Sequence, residues 1–354
     1  MKKISYGQVI FLLFICRIFK TLTYNPFRET NSGVLMWSIL IATVIQMVLL
    51  LPVFYIYNNC PGKSVDELAF CISKPVGYII TAVYALYFIL MASRAIKYFT
   101  YFISDMFPAI KNHYFIAVTI TIVAAYGAFL GIESLSRSSV FISVIFIVML
   151  IVMVITSQGQ MQKINLDIAV QNPVNDILSC VVKELGMNSE LTAFALILPY
   201  IKSDVKKAGY ILLAMKLVVL EVIVFIYTTL LGEYIKLAEI PLFVVGSFSK
   251  TKFIERFDAL YMAEWTLCAA LSIGLFILLA SKGIKRIAVK IRDIYIILVV
   301  ALICLGINIP FSLSKKPYDM IIDKWFTSIQ MIVLTCILPL IILLVQKVKK
   351  TKAE

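Results

Sequence analysis

The sequence predicts an all-α integral membrane protein of about ten transmembrane helices, arranged as a five-plus-five inverted repeat with broken helices 1 and 6. Three observations carry that prediction. Apolar blocks of about twenty residues recur along the whole chain, which is the length a helix needs to cross a ~30 Å hydrocarbon layer. Lysine and arginine collect in the short gaps between the blocks. The sixth block is interrupted by Gly186-Met187-Asn188-Ser189-Glu190, residue types that favour departures from helix and can re-satisfy freed backbone groups.

Of 354 residues, 61% are hydrophobic and only 15% charged, where a soluble domain carries roughly a quarter charged residues. Mean hydropathy is +0.96, so the apolar surplus needs lipid as its solvent and the bilayer is the first partner implied. The formal charge of +13 does not point to nucleic acid, because the basic residues form short runs between apolar blocks and no continuous stripe. Seven cysteines lie mostly inside apolar segments without paired spacing, so neither a disulfide framework nor a metal site follows. With one histidine, His113, and no hydrolase or nucleotide motif, the sequence predicts no enzyme and no cofactor.

The opening Met1-Lys2-Lys3 and its apolar run imitate a signal peptide. The run continues into Arg17, Lys20 and Thr23-Tyr24-Asn25-Pro26 without a small-residue cleavage site, and it is read as the first membrane helix. Helix 1 is expected from about Tyr6 to Arg28, interrupted near its middle, helix 2 over Val34 to Tyr57 and helix 3 over Gly77 to Ser104. Helices 4 and 5 follow at Tyr114 to Leu130 and Ser138 to Thr156, and helix 6 at Val174 to Ile201. Helices 7 to 10 are expected at Ala208 to Leu231, Ile254 to Ala280, Ile294 to Ile309 and Trp325 to Gln346. Val65 to Ile72 and Ile240 to Phe248 are too short to span and read as interfacial helices.

The excess of lysine and arginine in alternate loops places both termini in the cytoplasm. Ten helices divide into a first repeat, residues 1–156, and a second, residues 157–354. An odd number of spans per half inverts the second half relative to the first, the organisation of secondary-transporter folds, although no residue-level repeat is visible.

Ionisable residues inside the blocks are the candidate functional groups, since each costs roughly 2.5–3.5 kcal/mol to insert without a partner or a watery cavity. In helix 3, Arg94, Lys97, Tyr101 and Asp105 share a face that either lines a cavity or, for Lys97 and Asp105, lies near the outer surface and snorkels. In helix 7, Lys216 and Glu221 point to different faces, so each needs a partner on another helix unless Lys216 snorkels. Helix 8 opens with Glu255, Arg256 and Asp258, a gate or a structural cluster, and carries Glu264 deeper in the span as a coupling or ligand-facing group. Glu190, at the break in helix 6, can accept a ligand ammonium or a proton, or cap the following half-helix.

With these residues in view, the chain resembles the spore germination permeases, the B subunits of Ger-type germinant receptors in the amino acid–polyamine–organocation transporter superfamily. The likeness rests on Ile4-Ser5-Tyr6-Gly7-Gln8, Pro61-Gly62-Lys63, Arg94, and Gly131-Ile132-Glu133 with Arg137. It continues through Glu190 with Leu198-Pro199, and Glu255-Arg256-Asp258-Ala259-Leu260 with Trp265. The resemblance implies a spore inner-membrane protein acting with an A-type and a lipoprotein C-type subunit to sense a small germinant, often an amino acid. It implies a ligand pocket formed by backbone around Phe19, Lys20 and Thr21 and around Met187, Asn188, Ser189 and Glu190, with Arg94 and Trp265 nearby. The family usually has small residues at the helix 1 break, where this chain has Phe19-Lys20. Lys20 then either supplies a fixed positive charge, to Glu190 or to an acidic ligand, or snorkels outward. The alternative function is a proton- or sodium-coupled amino acid permease, which has the same broken helices and midplane site.

Overall fold

The computed structural model describes residues 3–23, 25, 30–107, 112–162, 173–202, 204–238, 240–248, 258–311 and 324–351. Helices dominate throughout, and eight of those described are long and apolar enough to cross a membrane. The first predicted span is α1 (Tyr6–Thr23), the second is α2 (Ser32–Leu49) with α3 (Leu51–Asn59), and the short segment after it is α4 (Val65–Ile72). Then come α5 (Lys74–Met106), α6 (His113–Leu130), α7 (Ile132–Ser157), α8 (Pro173–Gly186), α9 (Ser189–Ile197) and α10 (Val205–Leu231). The chain continues with α11 (Pro241–Phe248), α12 (Asp258–Ile287), α13 (Asp293–Phe311), α14 (Lys324–Ile332) and α15 (Leu338–Thr351). This is an all-α membrane protein.

Local chemistry explains where the helices start, bend and stop. Asn31, Ser73 and Asn112 accept hydrogen bonds from Val34, Val76 and Phe115, capping the starts of α2, α5 and α6. Pro52 has no N–H to donate, and the second span changes register there from α2 to α3. Gly131 joins α6 to α7 in a single residue at φ +86°, a conformation a side chain would strain. Pro339 has the same deficit in the last span, and a π turn over Val333–Ile337 precedes it, with the Tyr84 hydroxyl donating to the Leu334 carbonyl at 2.6 Å.

Contacts between helix ends sort into two sides, as successive crossings require. On one side Ile4 pairs with Tyr200 and Lys202 through backbone hydrogen bonds of 2.8 and 3.1 Å, and Arg286 at the end of α12 binds Asp66 and Glu67 of α4. Gln346 donates to the Leu68 carbonyl on that side as well. On the other side Asn25 donates to the carbonyls of Ile235 and Ala238, and Tyr261 to that of Leu22. In the middle α12 packs along α5, α2 along α10, and α1 along α9, so the first, second and third spans meet the sixth, seventh and eighth respectively.

One expectation fails. The first span is a continuous helix from Tyr6 to Thr23, with no interruption at Phe19, Lys20 or Thr21. None of those residues is a helix breaker, and the hydroxyls of Thr21 and Thr23 bond back to the carbonyls of Arg17 and Phe19, four residues earlier. The backbone that was expected to coordinate a ligand is occupied by its own helix.

Helix crossings without a hydrophobic driving force depend on small residues that let backbones approach. A Cβ at Gly274 of α12 would stand 3.0 Å from the Ala124 carbonyl oxygen of α6, whereas one at Gly306 of α13 meets nothing within 4 Å. Gly274→Leu is therefore expected to destabilise the solubilised protein by about 1–3 kcal/mol, the usual cost of overpacking. Gly306→Ala should leave its thermal unfolding temperature unchanged.

Candidate functional site

The sixth span does break. α8 ends at Gly186, α9 begins at Ser189, and Met187 and Asn188 form the non-helical link between them. Gly186 is required here by packing, because a Cβ would collide with the hydroxyls of Thr327 and Ser328 on α14. A break of this kind frees carbonyls and amides that lipid cannot satisfy.

The Met187 and Asn188 amides donate back to the carbonyls of Lys183 and Leu185, both at 3.2 Å, and polar side chains of other helices gather at the break. Lys20, reaching across from α1, donates to the Met187 carbonyl and to the Ser189 hydroxyl, both at 2.6 Å. Asn188 turns back to the Glu184 carbonyl, and its own Oδ1 accepts from Lys216 of α10 at 3.1 Å. Lys216 also bonds to Gln46 of α2 and lies 3.5 Å from the Glu184 carboxylate. Glu184 in turn holds Arg17 of α1 at 2.6 Å, and Arg17 donates to Thr21 at 2.8 Å. Arg17, Glu184, Asn188 and Lys216 are all buried. A buried carboxylate shared by two cations satisfies charges that would otherwise each cost several kcal/mol.

Glu190, in the first turn of α9, stands apart from this network. It is 1% exposed, and neither carboxylate oxygen has a hydrogen-bond partner from another residue. Lys20, Arg17 and Lys216 are its nearest sources of positive potential. The same turn is held to the last span by Thr192, whose hydroxyl is 3.1 Å from that of Thr335 in the π turn. Beside the break, Arg17, Thr21, Ser38, Glu184 and Met187 help to line a cavity of about 70 Å³, room for a few water molecules.

Of the other residues singled out by sequence, Arg94 is half-buried on α5, within 3.2 Å of the Tyr98 hydroxyl and within electrostatic reach of Lys20. Trp265 is fully buried, its ring 4.0 Å from Phe102 and stacked at 5.0 Å on Phe99, with Phe19 at 5.7 Å. Its indole N–H donates to Thr23 at 3.0 Å, so it fixes the end of α1 above the break. Lys97 and Tyr101 face α6 and α13, away from the break. Asp105 lies on α5, its side chain outside those described. Glu221 is half-buried on α10, within electrostatic reach of Glu184, and Glu264 is buried on α12 beside Cys268. Asp258 opens α12 and accepts from the Ala259 amide at 3.0 Å. Glu255 and Arg256 lie outside the described residues.

Sequence reasoning did not single out Arg17, Glu184 or Gln46. The signal was present for the first two: each is an intramembrane charge, three or four residues before Lys20 and Asn188, and so on the same helical face.

The broken sixth span is thus crossed by tethered cations and flanked by a buried carboxylate without a hydrogen-bond partner. A family model described as "Spore germination protein" matches residues 3–316. The chain belongs to the spore germination protein family. It is a germination-related, permease-like membrane protein, and the match takes in α1 to α13, including every residue of the break and its network. No curated protein sequence matches it. Within this germination protein, two further residues of the family-like pattern meet directly, Glu133 and Arg137, paired at 2.5 Å across one turn of α7.

Glu184→Gln leaves Arg17 and Lys216 buried with one partner fewer. It should cost about 3–5 kcal/mol, as breaking a buried charge pair does, read as a lower thermal unfolding temperature in detergent. Combining it with Arg17→Met and Lys216→Met, which removes the stranded charges, should recover part of that loss.

Proposed function

We propose that this chain is the membrane subunit of a spore germinant receptor, sensing a small amine-bearing molecule such as an amino acid at the break in its sixth span. The observation that carries the reading is Glu190, a carboxylate buried beside unwound backbone and left without a hydrogen-bond partner. Such a group is satisfied by a proton or by a ligand ammonium. Arg94, half-buried on α5 and within electrostatic reach of Lys20, suits a ligand carboxylate. Lys20 already fills the break's carbonyl and hydroxyl with its own ammonium, which leaves no need for a sodium ion at those two oxygens.

The closed state of the site suits a sensor. A solute cannot reach a residue 1% exposed unless helices part, so binding must favour a different conformation, and differential affinity is what shifts an equilibrium. In this reading residues 1–156 and 157–354 are the two halves that move, both termini face the cytoplasm, and A-type and lipoprotein C-type subunits receive the change. A working permease coupled to protons is the alternative. The unpartnered Glu190 favours it equally, and uptake by the purified chain alone in proteoliposomes is the result that would select it.

Two outcomes test the receptor reading. In spores, Glu190→Gln and Lys20→Met should each weaken the germinant response at least about tenfold, the worth of one charge-assisted contact, with chain abundance unchanged. An undiminished response in both variants would refute it. In a thermal-shift screen of the solubilised chain against amino acids, nucleosides and sugars, only amine-bearing solutes should raise the unfolding temperature, and Glu190→Gln should abolish the rise.

A further inference from the structure

Three ionisable groups around the break make no ion pair, and their signs are unequal in number. Lys20 of α1 donates to the Met187 carbonyl and the Ser189 hydroxyl, both neutral. An ammonium carries three N–H groups, so one of its donors is unspent. Arg94 of α5 bonds only to the Tyr98 hydroxyl, through Nε and Nη2 at 3.4 and 3.2 Å. The third group is Glu190 of α9, whose carboxylate accepts no hydrogen bond from another residue. Arg17 and Lys216 differ from these, because both are paired with Glu184.

The three groups belong to one region. Lys20 is within electrostatic reach of both Glu190 and Arg94. Tyr87, buried two turns before Arg94 on α5, bonds through its hydroxyl to Thr192, two residues beyond Glu190. It too lies within electrostatic reach of Glu190 and of Arg94. The first turn of α9, α1 at Lys20 and α5 from Tyr87 to Arg94 therefore converge. Two cations within reach of each other repel, and anions relieve that repulsion. Glu190 alone does not balance both.

We infer that the solute sensed at the break is an acidic amino acid, aspartate or glutamate. Its ammonium meets Glu190, its α-carboxylate Arg94, and its side-chain carboxylate the unspent N–H of Lys20. The inference rests on the amine site proposed above and names the class of amine. Two cations and one carboxylate without ion pairs match two carboxylates and one ammonium, group for group. A neutral amino acid leaves Lys20 unmatched and a basic one sets a further cation against it, so discrimination comes from what is left unpaired as much as from what is paired. A carboxylate on Lys20 also competes with Met187 and Ser189 for its N–H groups, which loosens the tether between α1 and the break.

The test is calorimetric titration of the full chain in nanodiscs with aspartate, glutamate, asparagine, glutamine and alanine. The better acidic amino acid should bind at least about tenfold tighter than its own amide, which has nearly the same shape and lacks one charge-assisted contact. Lys20→Met should bring that ratio close to unity. Arg94→Gln should weaken acid and amide alike, by about tenfold, because both carry the α-carboxylate. Equal affinity of the wild type for acid and amide would overturn the inference and leave the amine site standing, and it needs no variant to fold. A ratio untouched by Lys20→Met would overturn it as well. If no amine-bearing solute of any class binds, the receptor reading falls together with it.

Discussion

Lipid offers no hydrogen bond to a broken helix, and the structure around the sixth span is organised by that constraint. Once Met187 and Asn188 leave the helix, their backbone groups must be answered from within the protein. The Met187 and Asn188 amides donate back to carbonyls of α8 and the Asn188 carbonyl accepts from Leu191, while Lys20 answers the Met187 carbonyl and Lys216 holds the Asn188 side chain, and each lysine is itself expensive to bury. Glu184 then follows from Lys216, and Arg17 from Glu184. Four helices, α1, α2, α8 and α10, are thereby tied at one depth by polar bonds, in a bundle whose other contacts are mostly apolar.

The charges in this region do not cancel in pairs. Arg17, Lys20 and Lys216 face Glu184 and Glu190, with Arg94 nearby. Glu184 takes two cations, while Lys20 bonds only to neutral groups and Glu190 accepts no hydrogen bond. A folding network would gain by bringing Lys20 and Glu190 together in a direct pair. The separation keeps an acceptor available for something other than the protein, and buried groups held short of full satisfaction are typical of binding sites.

The spans were legible in the sequence because hydropathy over twenty residues is a strong signal, and α4 and α11 were legible because they were too short to be spans. The break at Met187-Asn188 was legible from its residue types. Continuity of α1 was not: the family's usual pattern suggested an interruption, and the local residues Phe19-Lys20-Thr21, good enough helix formers, decided against it. The partner of Lys216 was hidden for a different reason. Gln46 stands 170 residues away and Glu184 on another helix, and nothing short of the packing brings them together. Lys97 and Arg94, three residues apart, were read as one face of α5; Arg94 lies within electrostatic reach of Lys20 on α1, while Lys97 borders a groove beside α13.

A helix broken and then repaired by side chains differs from one held by its own ladder in a way that matters for function. Backbone hydrogen bonds within a helix are exchanged only by unfolding it, whereas the bonds from Lys20 to Met187 and Ser189 are exchanged by a rotation of one flexible side chain. A solute ammonium arriving beside Glu190 adds a positive charge next to that of Lys20, and repulsion between the two weakens the hold of α1 on the break. The repaired break can thus convert occupancy into helix separation without any part of the helices melting. That conversion requires the tether to be a cation on the first span, and Lys20 supplies one.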